Sequence, residues 1–266
     1  MITPDKSKRN PSVTSRWMER FPNLKRLYRN TLYTRLGPFL CGLEFDDIYG
    51  VEYKPYFRML SLWRAQPGHL LQSDPGSIKP SDGRRLFRES SISYKYPNSI
   101  EERGMAIYGE LYDTFFKPEV EYKDFIAQLN YISNLNPDLN ISTVKFKFLR
   151  SIALHVDNRA FCRYYNPYAT RYSPYLHYCL LRINLAIGQF YDRPDIFNEA
   201  VDVYNSTSKY WPRRFFRENP DRCLETILHE FSDREQFMAQ ISKNCEDSKI
   251  GALNIGQIQF NQMKIV

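Results

Sequence analysis

A chain of 266 residues can hold one large domain or two modest ones, with interior enough for a sizeable core. Its 42% hydrophobic and 25% charged residues exclude a disordered or low-complexity protein, and no apolar run approaches the roughly 18–20 residues that a membrane-spanning helix needs. Five cysteines, scattered and without a CxxC pair, exclude a secreted disulfide scaffold and predict reduced thiols in an intracellular compartment, cytoplasmic or virion-associated.

The charge is not spread evenly. Residues 1–40 carry nine Lys/Arg against Asp5 and Glu19, which equals the net charge of the whole chain, +7. Residues 1–21 therefore read as a basic arm suited to phosphate or an acidic partner. Their Arg-rich, acid-poor character also fits a mitochondrial leader.

From there proline punctuates the chain, since it is tolerated at the first helical position. Pro22, Pro55, Pro118, Pro174, Pro194 and Pro220 each precede apolar residues at helical spacing. The spacing predicts helices over 12–20, 22–36, 38–49, 55–66, 100–117, 118–134, 142–157, 174–190, 195–209, 220–231 and 233–245. In the second, Leu24, Leu27, Tyr28, Thr31 and Leu32 line one face and Gly37 ends it. Ser99 with Glu102 and Ser232 with Glu235 have capping-box spacing. Residues 66–83 read as a long loop and a sub-boundary of the body. The expectation is an all-α, single multi-helix domain over 22–245, with the basic arm before it and an extended tail, 246–266, after it. Alternation over Ile255–Phe260 suits that tail to a partner's sheet or groove.

Motifs for catalysis are scarce. Phosphate-cradling glycine loops, a G-x-S-x-G elbow and H-E-x-x-H are all missing from the sequence, so no enzyme activity and no cofactor is expected. Asp46 and Asp47 followed by Glu52-x-Lys54 follow the order of acidic residue and E-x-K used by divalent-metal nucleases. That chemistry needs its carboxylates on adjacent strands, whereas 38–49 and 55–66 read as two helices; a solvated charged face is expected instead. Cys162, His177, Cys179, Cys223 and His229 have no zinc-finger spacing and read as core thiols and structural histidines, with no metal.

Basic and aromatic residues together carry the functional expectation. Three hexads repeat one pattern, with Lys25, Arg26 and Arg29, then Arg84, Arg85 and Arg88, then Arg213, Arg214 and Arg217 flanking apolar pairs. On a helix the first and fifth residues share a face, which makes a phosphate clamp. The stretch 158–191 holds Arg159, Arg163 and Arg171 with Tyr164, Tyr165, Tyr168 and Tyr172 and contains no Asp or Glu. Bases stack on such rings while arginines neutralise phosphates, the recipe for single-stranded nucleic acid. The expected protein is a non-enzymatic structural binder of nucleic acid, single-stranded RNA or a ribonucleoprotein. By class it compares with helical basic nucleoproteins and matrix proteins. The alternative is an oligomeric assembly subunit whose arm, loop and tail contact only protein.

Overall fold

A computed structural model describes residues 12–48, 52–73, 92–93, 98–134, 174–208 and 220–260. It corrects the fold class. The chain is mixed α/β, because most of the segment 22–66 is strand where helices were expected.

Helix α1 (Val13–Arg20) begins where the sequence placed it, with the Ser12 hydroxyl accepting from the Ser15 N–H at 3.3 Å. Its Trp17 is fully buried and Phe21 nearly so, which ties the later part of the basic stretch into the core. Five strands follow: β1 (Lys25–Tyr28), β2 (Thr31–Leu36), β3 (Phe39–Ile48), β4 (Glu52–Ser61) and β5 (Gly68–Ser73). A short β6 (Ile92–Ser93) leads to α2 (Asn98–Phe116), β7 (Glu119–Glu121) and α3 (Tyr122–Asn134). The last part contains α4 (Pro174–Phe190), α5 (Pro194–Ser208), α6 (Pro220–His229), α7 (Arg234–Glu246), α8 (Ser248–Gly251) and β8 (Ile255–Gln259).

The helical period misled at β2 through β4 for a physical reason. Leu32, Tyr33, Thr34 and Leu36 are all buried, so β2 is covered on both faces and does not show the alternation of a half-exposed strand. Gly37 does not end a helix. It opens the two-residue β2–β3 turn at φ +55°, where glycine is at ease. Pro55 starts no helix either; it stands opposite Phe45 inside β4. Among the described residues no strand pairs with Pro55 on its other side, where β6 pairs at Glu52 and Tyr53 and β5 from Phe57 onward.

Eight strands join in one sheet among the described residues, in the order β5-β4-β3-β2-β8-β7, with β1 added to β2 and β6 to β4. Strands β2 to β5 form an antiparallel meander, and β8 runs parallel between β2 and β7. The alternation at 255–260 was a strand signal, but the strand completes the chain's own sheet; the extended tail is corrected to that extent. Ser232 makes no capping box, since its hydroxyl donates to the His229 carbonyl and Asp233 caps α7 by accepting from the Gln236 N–H.

One sheet face packs on α1 and α2 through rings. Phe57 stacks on Tyr112 at 4.5 Å, and Trp17 meets Phe45 and Tyr108 edge-on at 5.3 and 5.4 Å. Much of the aromatic excess is therefore core. Two polar nodes are set into this packing. Glu101, 4% exposed, accepts from Arg16 Nε and from the Tyr53 hydroxyl, which itself accepts from Trp17 Nε1. Glu230 takes Arg182 at 2.6 Å, Arg64 at 2.9 Å and Trp63 Nε1 at 3.3 Å, joining α4 and α6 to the end of β4.

Candidate functional site

Side chains alternate along a strand, so the register decides what gathers on the sheet face away from α2. In β3–β4 the opposed pairs are Gly42 with Arg58, Glu44 with Tyr56, Asp46 with Lys54 and Ile48 with Glu52. Tyr33 lies beside Gly42 on β2, and His69 reaches the same face because the β4–β5 register shifts at Met59/Leu60. A Cβ at Gly42 would come within 2.6 Å of Tyr33 Cδ1 and 2.8 Å of Tyr33 Cα. Glycine there lets the tyrosine lie against the sheet.

These residues form a continuous polar row across four strands. The Tyr33 hydroxyl donates to Glu44 Oε1 at 2.6 Å. Arg58 Nε sits 2.6 Å from Glu44 Oε2 as an ion pair, although its N–H is not aligned as a hydrogen bond. Arg58 Nη1 lies 3.1 and 3.0 Å from the two ring nitrogens of His69. Burial, aided by the Glu44 carboxylate, pushes the Tyr33 phenol well above its ordinary value. Burial and the Arg58 charge hold the His69 imidazole below its own. Both therefore stay neutral near neutrality, and the one ion pair balances itself.

Toward the β3–β4 turn the same face carries Asp46, Lys54 and Glu52, with Lys54 Nζ 5.1 Å above the Tyr56 ring. The sequence pattern of acidic residue and E-x-K thus lies on adjacent antiparallel strands, which corrects its reading as a pair of helices. Among the described residues no three His, Cys, Asp or Glu side chains gather as metal ligands. Cys179, considered for zinc, donates its thiol to the Leu70 carbonyl at 3.0 Å.

The first basic hexad is described, and its geometry differs from the expected helical clamp. It forms β1 and the β1–β2 turn, so Lys25 and Arg26 point to opposite sides of a strand. Arg26 Nη2 donates to the hydroxyls of Thr14 at 2.5 Å, Ser12 at 2.9 Å and Ser15 at 3.4 Å, pinning β1 to α1. Lys25 Nζ donates to the Ala252 carbonyl at 3.2 Å, and Arg29 stands exposed in the turn. Arg84, Arg85 and Arg88 lie outside the described residues, as do Arg159, Arg163, Tyr164, Tyr165, Tyr168, Arg171 and Tyr172, and Arg213, Arg214 and Arg217.

Two residues that sequence reasoning left out belong to this corner. Tyr28, taken as an apolar anchor on a helix, is 56% exposed, and Lys249 Nζ from α8 lies 4.8 Å above its ring. The corner and the carboxylate hairpin share one end of the sheet, where the Phe45 N–H donates to the Asn30 carbonyl at 2.9 Å. No protein-family profile, curated protein or solved structure matches this chain. Among the described residues no helix is long and apolar enough to cross a membrane.

Proposed function

We propose that the protein binds nucleic acid, with single-stranded RNA or a ribonucleoprotein as the target class, through the basic corner built on the β1–β2 turn. One observation carries the reading: exposed Tyr28 is accompanied by Lys25, Arg29 and Lys249, so an aromatic face and several cations stand together at a sheet edge. Cations of this kind release counterions from phosphates, which makes binding tolerant of sequence and sensitive to salt. Fluorescence anisotropy with a labelled oligonucleotide at low and moderate salt tests it. The Lys25→Ala/Arg29→Ala/Lys249→Ala variant should bind more weakly, and its log–log salt slope should fall by about two units, near 0.7 per lost phosphate contact. Absence of binding at low salt overturns the proposal. A salt-stable oligomer free of nucleic acid in size-exclusion chromatography with light scattering would favour an assembly subunit instead.

A second reading has its own support, the placement of Asp46, Glu52 and Lys54 on one face of a β-hairpin beside the basic corner. In this reading the protein is a magnesium-dependent nuclease. Asp46 and Glu52 would hold the ion, which would lower the pKa of a bound water; attack of that water on phosphorus would break one P–O ester bond, the leaving alkoxide taking a proton from solvent. Incubation of an end-labelled strand with magnesium, with manganese and with EDTA tests it. Metal-dependent cleavage lost in both Asp46→Asn and Glu52→Ala supports it, and cleavage that survives either change, or no cleavage at all, removes it.

A further inference from the structure

We infer that Tyr28 is a stacking platform for an unpaired base, so that the corner selects single strands over duplex; the inference rests on the nucleic-acid reading. Tyr28 is the only aromatic among the large, exposed hydrophobic residues described; the others are Val203 and Ile255. In a chain that buries Tyr33, Tyr53, Tyr108, Tyr112 and Tyr204, an outward ring stands apart.

The backbone aims it. The β1–β2 register runs Arg26 with Leu32 and then Tyr28 with Thr31, a bulge that takes up Leu27. Leu27 turns into the core at 6% exposure and Tyr28 turns out, the re-aiming that a bulge produces. The Tyr28 N–H donates to Thr31 Oγ1 at 2.9 Å and fixes the turn beneath the ring. Lys249 covers one face of the ring by a cation–π contact, so a base would stack on the opposite face; its backbone N–H donates to the Asp247 carboxylate, which holds the start of α8 in place.

Charge and shape then name the ligand. Arg29, next in sequence and exposed, makes no hydrogen bond or ion pair with the described residues, and Lys25 uses its ammonium on one carbonyl with donors to spare. A ring flanked by such cations fits a base with a phosphate on either side. The bases of a duplex are stacked on each other and offer this ring only their phosphates, whereas a splayed base offers a full π-face.

The test uses the full chain and a 2-aminopurine-labelled oligonucleotide, single-stranded or annealed to its complement. Tyr28→Ala should weaken single-strand binding about tenfold, Tyr28→Phe should bind like the wild type, and duplex binding should change less than twofold in either. Quenching of 2-aminopurine on binding should disappear in Tyr28→Ala alone. If Tyr28→Ala lowers strand and duplex affinity equally, or neither, the stacking inference fails while the basic-corner reading stands. If Lys25→Ala/Arg29→Ala/Lys249→Ala also leaves both affinities intact, the basic-corner reading fails too. Equal displacement of the strand by a polyglutamate peptide would make the corner a site for acidic protein and overturn the inference.

Discussion

Tyr53→Phe removes one oxygen from a place where two buried partners depend on it. The hydroxyl donates to Glu101 Oε1 at 2.6 Å and accepts from Trp17 Nε1 at 3.1 Å, with Trp17 fully buried and Glu101 at 4% exposure. A hydrogen bond to a charged group contributes about 1.5–3 kcal/mol, and a buried donor left unsatisfied costs about 1–3 kcal/mol. Phenylalanine keeps the ring packing against Phe45, so little else changes. Allowing for partial rearrangement, the loss should be about 3 kcal/mol. At roughly 2–4 °C per kcal/mol for a domain near this size, Tm should fall by about 6–12 °C. Urea unfolding gives the free energy, and a double-mutant cycle with Glu101→Gln should return a coupling of about 1–2 kcal/mol. A loss under about 1 kcal/mol together with full additivity would refute the account of Tyr53 as the link between α1, β4 and α2.

The other node should fail asymmetrically. Glu230→Ala leaves buried Arg182, at 3% exposure, without its counter-ion and should cost about 3–5 kcal/mol, whereas Arg64→Ala, at a side chain 41% exposed, should cost less than about 1 kcal/mol; equal losses in urea unfolding would refute this. His69 gives a pH signature. Its folded pKa lies below the ordinary 6.5, so as pH falls through the window between the two values the unfolded chain binds more protons and stability drops. His69→Gln should flatten urea midpoints measured across that window, by under about 1 kcal/mol because water screens the half-open ring. An unchanged slope would show that burial and the Arg58 charge do not lower the imidazole pKa.

What the sequence disclosed depended on how each element is buried. Helices α1, α2, α3, α4, α5, α6 and α7 were legible to within a few residues because one face or a flanking proline marked them. Strands β1 to β5 and β7 were not: Gly68–Ser73 lies in the stretch read as the 66–83 loop, and Glu119–Glu121 in the stretch read as the start of the 118–134 helix. In β2 the buried run Leu32–Thr34 has no alternation, and Leu24, Leu27, Thr31 and Leu32 mimic a helical stripe by accident of spacing. Pro55 looked like a helix start because apolar residues at helical spacing follow it, while its place opposite Phe45 in a sheet leaves no mark in the sequence. The same misreading hid the site, since Asp46 and Lys54 face each other only once their segments are strands. Lys25 and Arg29 were legible as basic residues. Tyr28 was not legible as a surface ring, because its direction depends on a bulge, and Lys249 joins it from more than two hundred residues away.

The placement of β8 has a consequence in time. Residues near 254–256 complete the free edge of β2, where Thr34 Oγ1 donates to the Asn254 carbonyl across 220 positions of sequence. At synthesis rates of about 5–20 residues per second, roughly 10–45 s separate the emergence of β2 from that of its neighbour. Throughout that interval the nascent meander carries an unpaired edge of buried-type residues, a template for pairing with another chain. A ribosome stalled before codon 255 would hold a protein with most of its core residues made and its sheet still open.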